Sequence, residues 1–257
     1  MCFDLDSQPP IHPLMSDAHG ESLTLTSADG TPFAAYHVQA DSARRNGAGI
    51  VILPDVRGLY HFYQDLAQRF GEAGVEAIVI DYFGRTAGVS IRDDSFDYMP
   101  LVMQTKASEI KDDVAAAIAA LRAAPNPPSA IFTIGFCFGG SNSFMQAANN
   151  LGLSGVIGFY GSPTRPGRDG TASVVDRVGE INVPVLGFFG GADPSISAED
   201  ISVFDSALTK AGVEHELISY PGAPHSFFDR KYAEFSKEST ESWERSLAFI
   251  AAHTPTA

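Results

Sequence analysis

Six continuous apolar runs mark the chain: GIVILP (49–54), VEAIVIDYF (75–83), IFTIGF (131–136), SGVIGFY (154–160), VPVLGFFG (183–190) and HELISYP (215–221). Runs of this length without alternation suit strands buried on both faces. Ahead of them, SLTLTS (22–27) alternates apolar and polar residues. The Asp29-Gly30 pair then reads as a hairpin turn into FAAYHV (33–38). Between the runs lie helical stretches. YHFYQDLAQRFGEAG (60–74) ends at a glycine stop. ASEIKDDVAAAIAALRAA (107–124) places Ile110, Val114, Ile118 and Leu121 on one stripe and ends before Asn126-Pro127-Pro128. SAEDISVFDSALTKAG (197–212) opens on Ser197 as a cap, and a last helix is predicted over roughly Tyr232 to Ala252. Alternating strands and helices predict an α/β fold with a mainly parallel sheet, the hairpin adding antiparallel strands. Residues 1–20, rich in Pro, Asp and Ser, read as an extended arm and 21–257 as a single domain. Residues 86–105 are the least regular part of the middle. Lying beyond the carboxyl end of a strand, they are a candidate pocket wall.

Composition narrows the class. Apolar residues make up 44% and charged residues 19%, which fits a packed globular chain and excludes a disordered one. The net charge of -14 disfavours nucleic acid and anionic membranes as partners. An anionic small molecule would therefore need local arginines to draw it in. No apolar run reaches 18 residues, and MCFDLDSQPPIHP has neither the basic nor the apolar segment of a secretory signal. Cys2 and Cys137 read as thiols of a reducing compartment, so the expected location is cytoplasmic. No His, Asp and Glu cluster has metal-ligand spacing, and no metal is expected.

The sharpest local signal is Gly135-Phe136-Cys137-Phe138-Gly139-Gly140, between IFTI and the helix-like SNSFMQAANN. This is the strand–turn–helix pattern of a nucleophile elbow, with Cys where Ser is usual. The tight turn needs small residues two positions either side of the nucleophile. The start of the helix favours a thiolate. The alternative is a buried structural cysteine. A base and an orienting acid should follow in the order acid, then His. Asp193 in FFGGADPSIS and His225 in YPGAPHSFFD both stand just past apolar runs. His225 would accept the thiol proton and Asp193 would fix its tautomer. Read singly, Asp193 could instead shape a turn before the next helix and His225 could make a structural hydrogen bond.

These marks together resemble the dienelactone hydrolase (carboxymethylenebutenolidase) family, from about residue 22 to the final helix. The Cys-containing elbow, GGAD with Asp193 and PHSF with His225 carry the resemblance. It implies an α/β-hydrolase fold with an eight-stranded sheet, helices on both faces and no large lid domain. It also implies cofactor-free hydrolysis of dienelactone to maleylacetate in the catabolism of chlorinated aromatics, by a monomer or small homo-oligomer. Val56 and Phe138 would give the backbone N–H groups of an oxyanion hole. Asp55 stands where the family usually has a Glu that contacts the resting nucleophile, or it could cap the helix that follows. Arg85 matches a family arginine that grips the substrate carboxylate. Asp229 stands where a second family arginine is found, with Arg230 one position on. Tyr160 matches a family tyrosine near the site, and equally suits a core aromatic. Two other readings remain open: an esterase or thioesterase of the same scaffold, and a non-catalytic protein that binds a small carboxylate or senses redox state through Cys137.

Overall fold

The computed structural model describes residues 6–90, 92–229 and 231–256. Eight strands form one sheet in the order β1-β2-β4-β3-β5-β6-β7-β8. They are β1 (His19–Thr26), β2 (Pro32–Gln39), β3 (Ala48–Leu53), β4 (Glu76–Ile80), β5 (Ala130–Phe136), β6 (Gly155–Phe159), β7 (Val185–Gly190) and β8 (His215–Tyr220). β1 and β2 form the predicted hairpin, β2 joins β4 antiparallel, and every other pairing is parallel. Each residue of β3 to β7 is buried, as continuous apolar runs require. β8 departs from this pattern. It is an edge strand and only Tyr220 of it is fully buried.

The helices are α1 (His61–Glu72), the single turns α2 (Gly84–Ala87) and α3 (Met99–Val102), α4 (Ala107–Arg122), α5 (Phe138–Gln146), α6 (Ala198–Ala211) and α7 (Ser236–Ala252). β4 and β5 flank β3 on opposite sides, so the chain reverses direction across the sheet. Right-handed crossovers then place α1 on one face and α4, α5 and α6 on the other. α7 returns to the α1 side, where Trp243 meets Phe70 with ring centroids 4.6 Å apart. α1 buries Phe62, Tyr63, Leu66, Ala67 and Phe70. Each large apolar side chain so buried contributes about 1.5–3 kcal/mol. Ser197 caps α6 as predicted, in a reciprocal pair with Asp200. α7 begins four residues later than predicted, because Lys231–Phe235 closes into turns first.

The parallel register aligns the carboxyl ends of the strands. Leu53 lies opposite Gly135, Phe136 opposite Phe159, Phe159 opposite Phe188, and Gly190 opposite Tyr220. The loops after β3, β5, β6, β7 and β8 therefore open along one edge, where open parallel sheets bind ligands.

A buried ion pair secures the first of these loops. Asp81, just past β4, accepts from Arg92 Nη2 at 2.8 Å and from the backbone N–H groups of Leu59 and Phe83 at 3.1 and 3.0 Å. Both charged side chains are almost fully excluded from solvent. Removing the acid would leave a buried guanidinium without its counter-charge. Asp81→Ala should therefore lose about 3–5 kcal/mol of stability, read from urea unfolding. Replacing Arg92 by Met in that background should restore only part of it, since the Leu59 and Phe83 N–H groups stay unmatched.

Candidate active site

Cys137 sits between β5 and α5 with φ 55° and ψ -111°. This is unfavourable for a residue with a side chain. The surroundings enforce it. A Cβ on Gly135 would fall 1.9 Å from the Gly139 carbonyl oxygen. A Cβ on Gly139 would fall 2.0 and 2.2 Å from the carbonyl oxygens of Leu53 and Pro54. The Cys137 N–H donates to the Phe159 carbonyl at 3.0 Å. Tyr160 and Ser226 also hold positive φ values, 39° and 64°. Three of the four non-glycine residues with positive φ among the described residues thus border one site.

His225 and Asp193 meet Cys137 there. The Nδ1–H of His225 donates to Asp193 Oδ2 at 2.6 Å, and the ring is hydrogen-bonded to Cys137 on its other side. Asp193 also accepts the Ser195 N–H on Oδ1 at 2.7 Å, so its turn-forming and orienting roles coexist. Burial pushes the Asp193 carboxyl up, but its bonds with His225 and Ser195 outweigh this and hold it below the ordinary range. Burial likewise disfavours a charged His225. Its bonds to Asp193 and Cys137, and the charges of both, prevail and raise it to about 10. Cys137 is a half-buried thiol. Cys2 lies outside the described residues.

The other expected residues divide. Val56 and Phe138 line the same cavity as Cys137 and His225. Phe138 is the first residue of α5, so its N–H has no acceptor within the helix. Asp55 is fully buried and does not cap α1, whose cap is Tyr60. Its Oδ1 accepts the Arg57 N–H at 2.9 Å and so shapes the loop that carries Val56. Tyr160 lines the cavity, lies 4.9 Å from the His225 ring and donates to Asp229 Oδ2 at 2.7 Å. Asp229 is fully buried and helps to seat that tyrosine.

Arg85 is not at the cavity. Its guanidinium binds both Asp113 oxygens at 2.9 and 3.0 Å, Asp29 at 2.9 Å and Ser27 at 2.7 Å. These acids turn it toward the hairpin and α4, so the expected carboxylate grip is absent from this position. Arg230 lies outside the described residues. Of the described residues in the stretch 86–105, only Thr105 reaches the Cys137 cavity, while Val89, Ser90, Arg92, Asp93 and Asp94 line a separate one beside Tyr60 and His61. The pull of Asp81 on Arg92 explains this displacement.

The cavity at Cys137 holds about 180 Å³, below the usual range for drug-sized ligands. Its far wall is the loop after β6, with Arg165 and Arg168, which the sequence reading passed over. The available signal was TRPGRDG, a turn-rich segment with two arginines just past a buried strand. Among the described residues, no cluster of His, Cys, Asp and Glu could hold a metal ion, and no helix is long and apolar enough to cross a membrane.

The dienelactone hydrolase family model matches residues 33–254. The chain belongs to the dienelactone hydrolase family. A Salmonella typhimurium protein named provisionally as a carboxymethylenebutenolidase is 24% identical to this family member, over 94% of this chain and 92% of its own length. A Synechocystis protein of the same provisional name is 29% identical, over 76% and 82%. The fold is that of a Klebsiella pneumoniae protein crystallised under a provisional dienelactone hydrolase name (TM-score 0.77, 22% identity, 91% of this chain and 99% of that one). It is also that of a dienelactone hydrolase-like promiscuous phosphotriesterase from metagenomic libraries (TM-score 0.74, 21% identity, 92% and 99%). Among the described residues of this family member, the α/β-hydrolase sheet carries no large lid.

The elbow should tolerate no side chain at Gly139. Gly139→Ala is expected to lower stability by about 1–3 kcal/mol through overpacking and to slow alkylation of Cys137, measured by thermal unfolding and thiol titration.

Proposed function

We propose that this protein hydrolyses small activated esters or lactones, with Cys137 as nucleophile, His225 as acid and base, and Asp193 as orienter. The observation that carries this reading is the hydrogen-bonded chain Asp193–His225–Cys137, ending on a strained elbow inside a small cavity. Membership of the dienelactone hydrolase family supports it.

The Cys137 thiolate attacks the substrate carbonyl, forming the S–C bond as the C=O electron pair moves onto oxygen. The N–H groups of Val56 and Phe138 stabilise that oxyanion. Each such donor is typically worth about 3 kcal/mol. Collapse breaks the C–O bond to the leaving group, and His225 gives its proton to the departing oxygen. In a lactone the leaving oxygen stays tethered to the acyl group. Water then attacks the thioester while neutral His225 takes its proton. The second tetrahedral intermediate expels the thiolate and releases the acid.

The electrostatics of His225 suit both halves. In the resting state the charge and hydrogen bond of Cys137 help to keep the proton on the imidazole. Acylation removes both contributions, so the ring loses basicity and can deprotonate water near neutrality. A thiolate is itself a good leaving group. Productive turnover therefore favours enol esters, aryl esters and lactones, whose oxygen departs readily, over amides. A thiol nucleophile suits a reducing compartment, and the cytoplasm is the proposed location.

A panel of aryl esters and enol lactones, dienelactone included, tests the activity. Turnover is expected for the wild type, with kcat/KM falling about 10²–10⁴-fold in His225→Ala. Absence of turnover on every member, with Cys137 reduced, rejects the reading. The ion pair has its own signature. In a Cys2→Ala background, iodoacetamide should alkylate Cys137 at a nearly constant rate from pH 6 to 9, because His225 keeps its proton until the pH rises through about 10. In His225→Ala the rate should titrate near the ordinary thiol value of about 8.5. A wild-type profile with that same ordinary titration would sink the ion-pair account.

A further inference from the structure

We infer that Tyr82 and Tyr63 are positioning residues for the oxyanion hole, their hydroxyls gripping the two ends of the Pro54–Asp55 peptide and so aiming the Val56 N–H. This rests on the hydrolase reading above and extends its machinery to two buried side chains.

The two contacts fall on one peptide group. The Tyr82 hydroxyl donates to the Pro54 carbonyl at 2.7 Å. The Asp55 N–H donates to the Tyr63 hydroxyl at 3.0 Å. A peptide group is planar, so holding its oxygen and its N–H together fixes the direction of the whole plane. That hold is needed here. The proline ring locks φ at Pro54, but ψ of Pro54 and φ of Asp55 stay soft, and turning that pair swings the plane.

The next peptide carries the Val56 N–H. Its carbonyl, that of Asp55, is turned into the loop, where it accepts the Gly58 N–H at 3.3 Å. In a trans peptide the N–H points the opposite way. Val56 lines the Cys137 cavity, and among the described residues its N–H meets no backbone acceptor. On the far side, the Asp55 carboxylate accepts the Arg57 N–H at 2.9 Å. The donor thus stands between two peptides that are both held.

Tyr82 also reaches the other donor. Its ring meets that of Phe138 edge-on, with centroids 5.2 Å apart. The Pro54 carbonyl that it grips is one of the two against which Gly139 packs. Tyr82 therefore touches the loop after β3 and the elbow at once, and sets their separation. Tyr63 rises from α1 and packs 5.7 Å from the ring of Phe136, the residue before Cys137. Both tyrosines are buried, so water does not compete for their hydrogen bonds. Burial and the charges of Asp55, Asp81 and Cys137 push the Tyr82 hydroxyl well above its ordinary value, so it remains a donor. Neither tyrosine lines the Cys137 cavity. They act through the loop and not on the substrate.

The test separates a reaction that builds an oxyanion from one that does not. Iodoacetamide alkylates Cys137 by displacing iodide at carbon, and no oxyanion forms. Attack on an aryl ester forms one. In a Cys2→Ala background, Tyr82→Phe keeps the ring against Phe138 and removes only the hydroxyl. It should lose about 10-fold in kcat on p-nitrophenyl butyrate, with KM and the iodoacetamide rate each within about 2-fold. Tyr63→Phe should lose about 3–10-fold in the same pattern. The double variant should lose less than the product of the two, because both hydroxyls act on one peptide plane. Unchanged kcat in both single variants, or an alkylation rate that falls by the same factor as kcat, overturns the clamp. An aliphatic trifluoromethyl ketone adds a readout that needs no turnover. The thiolate adds reversibly to its carbonyl, forming the S–C bond as the C=O electron pair moves onto oxygen. Protection of Cys137 from iodoacetamide by this ketone should weaken about 10-fold in Tyr82→Phe. Equal protection in wild type and variant counts against the clamp. The ketone decides the clamp even where no ester turns over, and the wild-type ester rate tests the hydrolase reading by itself.

Discussion

The constraint on which the site depends is the closeness of three backbones where β5 turns into α5. Gly139 lies against the Leu53 and Pro54 carbonyls, and Gly135 against Gly139 itself. There is no room for a relaxed turn, so Cys137 must adopt positive φ. Its side chain is thereby placed at the sheet edge, at the first turn of a helix, before any interaction of the thiol is considered. The same crowding ties neighbouring loops to the elbow. Gly140 abuts the Phe159 carbonyl, and Cys137 N–H bonds to that carbonyl as the chain enters strained Tyr160. Tyr82 donates to the Pro54 carbonyl at 2.7 Å and packs edge-on to Phe138 at 5.2 Å. The geometry of Cys137 and of the two candidate oxyanion donors is one packing problem, solved once.

Electrostatics then assign roles among residues that the sheet merely brings near. Two arginines show this. Arg85 follows β4 at a position suited to grip a ligand, yet Asp113, Asp29 and Ser27 occupy its donors. Arg168 stands on a loop with no regular structure, and its own neighbour Asp169 is drawn off to α4. An arginine whose donors are filled by carboxylates adds stability and rigidity. Tyr160 and Asp229 make the same point from the acidic side. The carboxylate stands where the family has an arginine, and it is buried against a tyrosine hydroxyl rather than turned toward the cavity.

This division also explains what the sequence could and could not disclose. Continuous apolar runs identified β3 to β7 because burial on both faces leaves a direct compositional trace. The elbow was legible for a similar reason: Gly135 and Gly139 are demanded by contacts local to the motif. The meeting of Asp193 and His225 was legible by their order and by their place at strand ends, since the parallel register aligns those ends. Edge strand β8 reads like an interior strand because sheet order is not written in the run itself. Arg85 and the segment 86–105 were misplaced for a further reason. Their positions are decided by partners 28 to 58 residues away in one case, and by the Asp81–Arg92 pair in the other.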